Sequence, residues 1–407
     1  MADLTTTCCI AGGGPAGMML GFLLARAGID VIVLEKHADF LRDFRGDTIH
    51  PSTMQLMHEL GLLDEFLKLP HTKERHIVAR FGSEAIPIAD FSHLSVKAPY
   101  IAFMPQWDFL DFLADRGREL PRFRLLMNTR GEAPISAGGR VVGLKARTPE
   151  REISIKADLV VAADGRHSDI RQAAGFAVTT LGAPIDVLWF RLSRKSGDDN
   201  QTFGQVAQGR FMVMLNRGDY WQCAFVIPKG SLEQLRAAGL EAFRQNLVAL
   251  SPSLADRVAE LKGWDDIKLL SVAVDRLARW WKPGLICIGD AAHAMSPIGG
   301  VGVNLAIQDA VAAANRLAAP LREKRLSDVD LAAVQGRRMF PTKVTQAMQI
   351  AIQNRVITPL LAGAAPVRPP FVLRLLKWFP ALRRIPARMV GMGVRPEHIG
   401  PELTPRP

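Results

Sequence analysis

Apolar residues in this chain gather into short runs that stop at polar or glycine-rich turns, and the first run sets the pattern. Cys8-Cys9-Ile10-Ala11 passes into Gly12-Gly13-Gly14-Pro15-Ala16-Gly17, and a helical pattern over residues 15–27 begins at once. Met18, Met19, Leu23 and Leu24 fall on overlapping faces of that helix, and Gly28 is placed to end it. The next apolar run, Val31-Ile32-Val33-Leu34, stops at Glu35. Strand, glycine turn, helix, strand and acid therefore follow one another within the opening residues.

Farther along, Ser52 or Thr53 is placed to cap a helix that runs to Leu60 and ends at Gly61. Residues 76–99 shorten into alternating segments broken by Pro and Gly, which predicts a small β excursion. Residues 107–120 predict a helix with Phe109, Leu110, Phe112 and Leu113 inward. Short strands over 123–155 turn at Gly138-Gly139, and residues 159–163 read as a buried parallel strand. A strand over 186–192 precedes a hairpin, 211–215 and 220–227, across Asn216-Arg217-Gly218-Asp219. Helices are predicted between 231 and 261, and a strand over 268–274. A further apolar run over 284–288 leads through Gly289-Asp290 and a Gly299–Asn304 loop into a long helix over 305–317. The remainder reads as helical, broken at Pro341, Pro359, Pro366, Pro369-Pro370, Pro380 and Pro386.

Length and charge narrow the picture. At 407 residues, two domains or one large domain with insertions is expected. A hydrophobic share of 48% supports a full core and excludes wholesale disorder. The net charge of +11 is uneven: residues 366–407 hold eight Lys/Arg against two Asp/Glu. That argues against a nucleic-acid face spread over the main body. Cys8, Cys9, Cys223 and Cys287 have neither metal-ligand nor Cys-x-x-Cys spacing, and the nine histidines are scattered. We read buried free thiols, a reducing compartment and no metal site. The start shows no basic segment followed by an apolar stretch, and no run reaches the roughly 18 apolar residues of a membrane span. A cytoplasmic protein is expected.

The opening stretch carries candidate chemistry. Gly12 lets the chain turn off the first strand, Gly14 lets a pyrophosphate approach the backbone, and Gly17 lets the helix lie close to the sheet. The helix N-terminus, with Pro15 and Ala16, offers unpaired N–H groups and positive dipole potential to phosphates. Glu35, 23 residues after Gly12, is placed to accept hydrogen bonds from adenosine ribose hydroxyls, with Lys36 beside it. This is the layout of an adenine dinucleotide site. Two later stations repeat its logic: Asp164-Gly165-Arg166-His167-Ser168 off the strand ending at 163, and Gly289-Asp290 with the glycine loop before the long helix.

Together the three stations resemble the single-component, FAD-dependent aromatic hydroxylases of the para-hydroxybenzoate hydroxylase family, over roughly residues 4 to 320. The resemblance implies an α/β fold: a discontinuous, doubly wound, Rossmann-like FAD-binding domain of the glutathione-reductase type (1–75, 98–180 and 276–340). An inserted antiparallel β-sheet substrate domain (76–97 and 181–275) and a helical C-terminal segment (341–407) complete it. It implies that Asp164 and Gly165 lie near FAD and the nicotinamide pyrophosphate. By the same resemblance Asp290, next to Gly289, bonds the ribityl chain, Arg45 contacts the FAD pyrophosphate, and Gln106 contacts the flavin side of the cofactor. Pro297 would stand beside the ring edge where oxygen adds. Gly300, Gly302, Val303 and Asn304 would border the flavin, the last three presenting N–H groups to its pyrimidine end. Reduced flavin is negative there, and a helix dipole stabilises it. No second Gly-x-Gly-x-x-Gly follows a strand, so NADH or NADPH is expected only as a transient reductant.

Trp189, Arg191, Met212, Tyr220 and Gln222 are the substrate-side candidates, although alternation sends about half of such strand residues outward and does not say which half. His50 is either an ordinary loop histidine or a pocket residue in a proton relay, and with Pro297 it is the catalytic candidate. His293 is expected to cap or pack. The Met-, Leu-, Phe- and Trp-rich β segment suits a bulky aromatic or polycyclic substrate. The expected activity is NAD(P)H- and O2-dependent hydroxylation through a flavin hydroperoxide. A halogenase, a prenyl-chain reductase and a catalytically silent FAD-binding homologue are the alternatives; the paired tryptophans of a Trp-x-Trp-x-Ile-Pro halogenase segment are absent around Trp221. The basic tail, mixing Phe371, Leu375, Trp378 and Phe379 with Arg374, Lys377, Arg383, Arg384 and Arg388, is expected to cover the cofactor domain or to dock on an anionic membrane surface. A monomer or homodimer is expected.

Overall fold

A computed structural model describes residues 2–41, 47–363 and 369–403. The apolar runs that end at glycine turns become neighbours in one sheet. Its order is Trp281–Lys282, Leu285–Cys287, Glu152–Ala162, Leu4–Ala11, Val31–Leu34, Phe123–Leu126, and all pairs but the first are parallel. Parallel strands covered on both sides need apolar residues throughout, which is why these runs do not alternate. Strand Glu152–Ala162 also carries an antiparallel hairpin, Arg130–Ala137 and Arg140–Arg147, on its first half. Helices Pro15–Arg26, Gln106–Arg118 and Gly302–Arg322 bury their apolar faces in one core against this sheet.

The second sheet has seven strands: Lys268–Leu270, Ile185–Ser193, Tyr220–Pro228, Arg210–Asn216, Phe203–Ala207, His76–Phe81 and Glu84–Asp90. The excursion at 76–90 thus joins strands more than a hundred residues later. That joint, Phe203–Ala207 on His76–Phe81, is parallel, the one departure from the expected antiparallel pattern. The face carrying Leu188, Phe190, Leu192, Met212, Met214, Trp221 and Phe225 packs on helix Leu240–Leu250, with Phe243 edge-on to Phe190 and Phe225 at 5.8 and 5.4 Å. The opposite face, with Val187, Trp189, Phe211, Val213, Ala224 and Val226, turns toward Ile298, Ile352 and Ile357.

Several local expectations are corrected. Helix Pro51–Glu59 begins one residue before the expected caps, with His50 at the cap and Pro51 pre-set for the first turn. Thr53 instead donates to Asn304. The strand over 268–274 is only Lys268–Leu270, because Asp186 takes the Val272 amide out of ladder register. Helix Asp328–Ile352 runs straight through Pro341, since buried Leu331, Val334, Arg338, Thr342, Thr345, Gln346 and Gln349 hold both sides of the missing rung. A π-turn, Gln353–Ile357, then carries it into Thr358–Leu361, so Pro359 does not break it either. Pro366 lies outside the described residues. The tail helices Phe371–Trp378 and Arg384–Gly391 lie mainly along strand Glu84–Asp90, where Leu373 meets the Ile86 cluster and Ala387 meets Ala89 and Phe91. They cover the free edge of the second sheet, an exposed edge being a ready template for mispairing, rather than the first sheet.

Candidate active site

The glycine turn is dictated by close approach. A Cβ on Gly12, whose φ is +109°, would stand 2.3 Å from the Ala163 carbonyl oxygen, and one on Gly17 would stand 2.0 Å from that of Gly12. Gly14 faces open space, with no described atom within 4 Å of where its Cβ would be. Gly14 also occupies the cap of helix Pro15–Arg26 without any side-chain cap among the described residues, leaving the first amides to an incoming anion. Buried Glu35 accepts the Gly13 amide at 3.1 Å and the His37 amide at 3.0 Å, so it braces the turn as well as flanking it. Lys36 is exposed beside it. Arg45 lies outside the described residues.

The second and third stations meet. Asp164 leaves the end of strand Glu152–Ala162; its Oδ2 accepts the Ile170 amide at 3.3 Å, while its buried Oδ1 has no partner among the described residues. Burial raises its carboxyl pKa. Ser168 caps helix Asp169–Ala173. Arg171 reaches across to the Ala291 carbonyl at 3.3 Å and lies 3.7 Å from Asp275, while Arg166 comes within 3.8 Å of Asp290. The Asp290 side chain is 35% exposed. Desolvation raises its pKa, opposed by Arg166.

A buried charge cluster lies under this turn. Asp309 accepts the Gly289 amide at 3.1 Å, His293 Nε2 at 2.6 Å and Arg338 Nε at 2.9 Å. Arg338 also bonds Glu397 from the tail at 3.1 Å. Burial works against the Asp309 charge, but His293 and Arg338 prevail and its pKa is lowered. His293 therefore packs and pairs, beneath Trp280.

Pro297 is half-buried at the start of the glycine loop, and helix Gly302–Arg322 opens behind it with no side-chain cap among the described residues. Gly300 sits against Thr48, whose hydroxyl bonds its carbonyl at 3.0 Å. The Asn304 side chain is committed to the His50 amide and the Thr53 hydroxyl, both at 2.8 Å, and to the Thr48 carbonyl at 3.0 Å. Only the backbone of Gly302, Val303 and Asn304 is thus left for a cofactor. His50 is wholly buried; its Nδ1 lies 2.8 Å from the Val390 carbonyl and so carries the proton. Its Nε2 has no partner among the described residues, and burial lowers its pKa to about 4.

On the substrate side, strand parity separates the candidates. Met212 is withdrawn: it is fully buried on the face that packs against helix Leu240–Leu250. Trp189, Arg191 and Gln222 share the other face, since Trp189 is opposite Ala224 and Arg191 opposite Gln222. Arg191 is 54% exposed, lies 4.0 Å over the Tyr220 ring and faces Asp219 at 3.6 Å, so it forms a rim rather than a clamp. Trp189 Nε1 is buried with no partner among the described residues. Two residues that sequence reading did not select hold this corner: Asp47 and Arg217 form a buried ion pair between the hairpin turn and the first sheet's loop. Asp47 also accepts the Gln106 amide at 3.2 Å and a Gln222 hydrogen bond, and Arg217 Nε donates to Gln222 at 2.8 Å.

The family described as "FAD binding domain" matches residues 5–348. The chain is 31% identical over 388 residues to a 6-methylpretetramide 4-monooxygenase of Streptomyces rimosus, covering 94% of this chain and 92% of that one. It is 28% identical to a rifampicin monooxygenase of Streptomyces venezuelae over 76% of its length, but spans only 63% of that longer protein. A p-nitrophenol 4-monooxygenase of Pseudomonas putida has the same fold, with a TM-score of 0.76, 20% identity and coverage of 95% and 96% of the two chains. So does a myxobacterial chondrochloren halogenase, at 0.75, 17% identity and coverage of 99% and 95%. The residues suit FAD: two helix N-termini that have no side-chain cap among the described residues, for its phosphates and its electron-rich ring, a side-chain-free approach at Gly14, and a buried Asp164 oxygen with no hydrogen-bond partner among those residues.

Removing Glu35 or Asp290 by substitution with Ala is expected to weaken FAD by about 1–3 kcal/mol, the worth of a charge-assisted hydrogen bond. Flavin fluorescence titration of the apoprotein measures this, and unchanged affinity in both variants contradicts the placement. His50 gives a pH prediction. Its folded pKa lies below the unfolded value of about 6.5, so the unfolded chain takes the proton first as pH falls. The stability owed to neutral His50 is full above about pH 6.5 and drains away toward about pH 4. His50→Gln should remove about 2 kcal/mol of the stability difference between pH 7 and pH 5, read by urea unfolding of both proteins.

Proposed function

The chain belongs to the FAD binding domain family and is an FAD-dependent monooxygenase, and on that premise we propose that it hydroxylates an apolar, polycyclic aromatic ring using NADH or NADPH and O2. Bound FAD supplies the redox chemistry, in which the nicotinamide gives up two electrons, one oxygen atom enters the ring and the other leaves as water. The protein's part is to hold the ring beside Pro297, keep water out and supply polar contacts at chosen points. One observation carries the substrate class: the sheet face toward Ile298 is apolar, with Trp189, Phe211 and Val213 partly exposed beside buried Val187, Ala224 and Val226, while the buried charges at its corner already satisfy one another. A small acid would find no spare clamp there among the described residues. A fused-ring phenol would find apolar area, with Trp189 Nε1 as one donor for a ring oxygen. His50, wholly buried and with its pKa lowered to about 4, is a poor base near neutral pH and holds its loop through the Val390 carbonyl rather than moving a proton. The name of the Streptomyces rimosus relative, which acts on a pretetramide, fits this class.

The tail supports a further partner. Phe371, Val372, Trp378, Phe379 and Ile385 are exposed among Arg374, Lys377, Arg384 and Arg388, and no Asp or Glu occurs between residues 364 and 396. Glu84 pairs with Lys377 at 2.6 Å and also feels the charge of Arg374. Aromatic side chains beside an excess of cations suit the interface of an anionic bilayer, where an apolar substrate also partitions. Among the described residues no helix is long and apolar enough to cross a membrane.

The holoenzyme should oxidise NAD(P)H slowly alone and several-fold faster with a cognate tricyclic or tetracyclic phenol, and the phenol should gain one oxygen atom by mass. Acceleration with all electrons recovered as hydrogen peroxide, or no response to any fused-ring phenol, overturns the substrate class. For the tail, the protein should float with anionic liposomes at low salt but not with neutral ones, and Trp378→Ser with Phe379→Ser should abolish flotation.

A further inference from the structure

The residues flanking Pro297 are held by side chains from far along the chain. Gln346, Gln349 and Gln353 are each fully buried, and their spacing of three and four stacks them on one face of helix Asp328–Ile352 and the π-turn that follows. Gln346 donates to the Asp275 and Ala294 carbonyls at 2.7 and 3.0 Å and accepts Arg276 at 2.9 Å. Gln349 donates to the carbonyls of Ser296 and Ile298 at 2.8 and 2.9 Å and accepts the Ser296 amide at 3.1 Å. Gln353 donates to the Ser296 hydroxyl at 2.7 Å, and its Oε1 is buried with no partner among the described residues.

This arrangement answers a specific need. Strand His293–Ala294 ends at once, so the backbone of 295–298 enters the interior without a ladder to satisfy it. Pro297 has no N–H and cannot be pinned through its own amide. Gln349 straddles it, fixing the carbonyls on either side. The same helix then reaches the substrate face: Ile352 and Ile357, on either side of Gln353, pack with Ile298 against Val187, Ala224 and Val226. The π-turn between them offsets the register at the point where the helix passes from loop to sheet, and π-turns are commonly found at functional sites.

We propose that Gln349 and Gln353 are positioning residues that set the gap between the Pro297 wall and the apolar sheet face, and thereby decide whether oxygen transfer is coupled to NAD(P)H oxidation. This rests on the monooxygenase reading above. Each glutamine acts through Ser296 and Pro297 and touches no reacting atom. A widened gap lets water in and lets the ring move, so the two electrons from NAD(P)H reduce O2 to hydrogen peroxide instead of leaving one oxygen in product.

The test uses near-isosteric Gln→Met variants of the holoenzyme. Gln349→Met loses three hydrogen bonds beside Pro297, and Gln353→Met loses one. Gln346→Met also loses three but leaves the Pro297 flanks held, so it controls for general destabilisation. With a substrate that the unsubstituted protein hydroxylates, the ratio of product to NAD(P)H consumed should fall about tenfold in Gln349→Met and about threefold in Gln353→Met, with peroxide making up the difference. It should stay near the unsubstituted value in Gln346→Met. In apoprotein, amide hydrogen exchange over residues 295–300 should quicken in the first two variants only. Equal uncoupling by Gln346→Met, or unchanged coupling and exchange in the other two, overturns the proposal. If Gln349→Met does not fold, Gln353→Met decides. If no aromatic is hydroxylated by the unsubstituted protein, the functional reading has failed, and the exchange arm still decides whether these glutamines hold the loop.

Discussion

The structure depends on how closely three strand ends can approach one another. Gly12 lies under Ala163, Gly17 under Gly12, and Gly289 between Ala16 and Ala306, each where a Cβ would overlap a neighbour or crowd it. That contact brings helices Pro15–Arg26 and Gly302–Arg322 together over the same sheet edge, with both N-termini uncapped among the described residues. Two positive helix ends side by side repel unless something negative lies before them. The site supplies carboxylates at Glu35, Asp164 and Asp290 and leaves the rest to an anionic, electron-accepting ligand. Everything else is built outward from this corner: the Asp309 cluster below, the hairpin pinned by Asp47 and Arg217 beside it, and the apolar sheet face above.

What the chain discloses on its own follows the range of each interaction. The glycine turns were legible because strand, turn and helix are neighbours in sequence. The second and third stations were legible because each repeats that local logic. Parity on the second sheet was not: period-two alternation shows that Trp189 and Met212 belong to strands, but only packing against Phe243 sends Met212 away from the site. Nor was the Asp47–Arg217 pair, which joins residues 170 positions apart, although both stood in turns already noted. Pro341 and Pro359 misled because a proline's local cost was weighed without the buried glutamines and arginine around it. The Thr53 hydroxyl looked like a cap because its long-range partner Asn304 is invisible from nearby sequence.

Likeness of fold reaches both hydroxylases and a halogenase, so architecture alone does not select the chemistry. Selection falls to a few side chains around a common cradle. Here Trp221 is turned into the core beside Phe203, away from the face where Trp189 lies. The face that remains is apolar, with its charges already neutralised in place, and suits a guest that brings its own ring surface and few charges.

The link from Asp309 through Arg338 to Glu397 bears on how the protein is made. The Gly289 turn lies in the last third of the chain, yet the charge cluster beneath it is incomplete until residue 397 has emerged from the ribosome. Until then the Arg338 Nη1 group lacks its acceptor, and closing the interior would bury an unsatisfied donor. Strands and glycine turns can therefore assemble during synthesis, while the floor of the cofactor corner sets only afterwards.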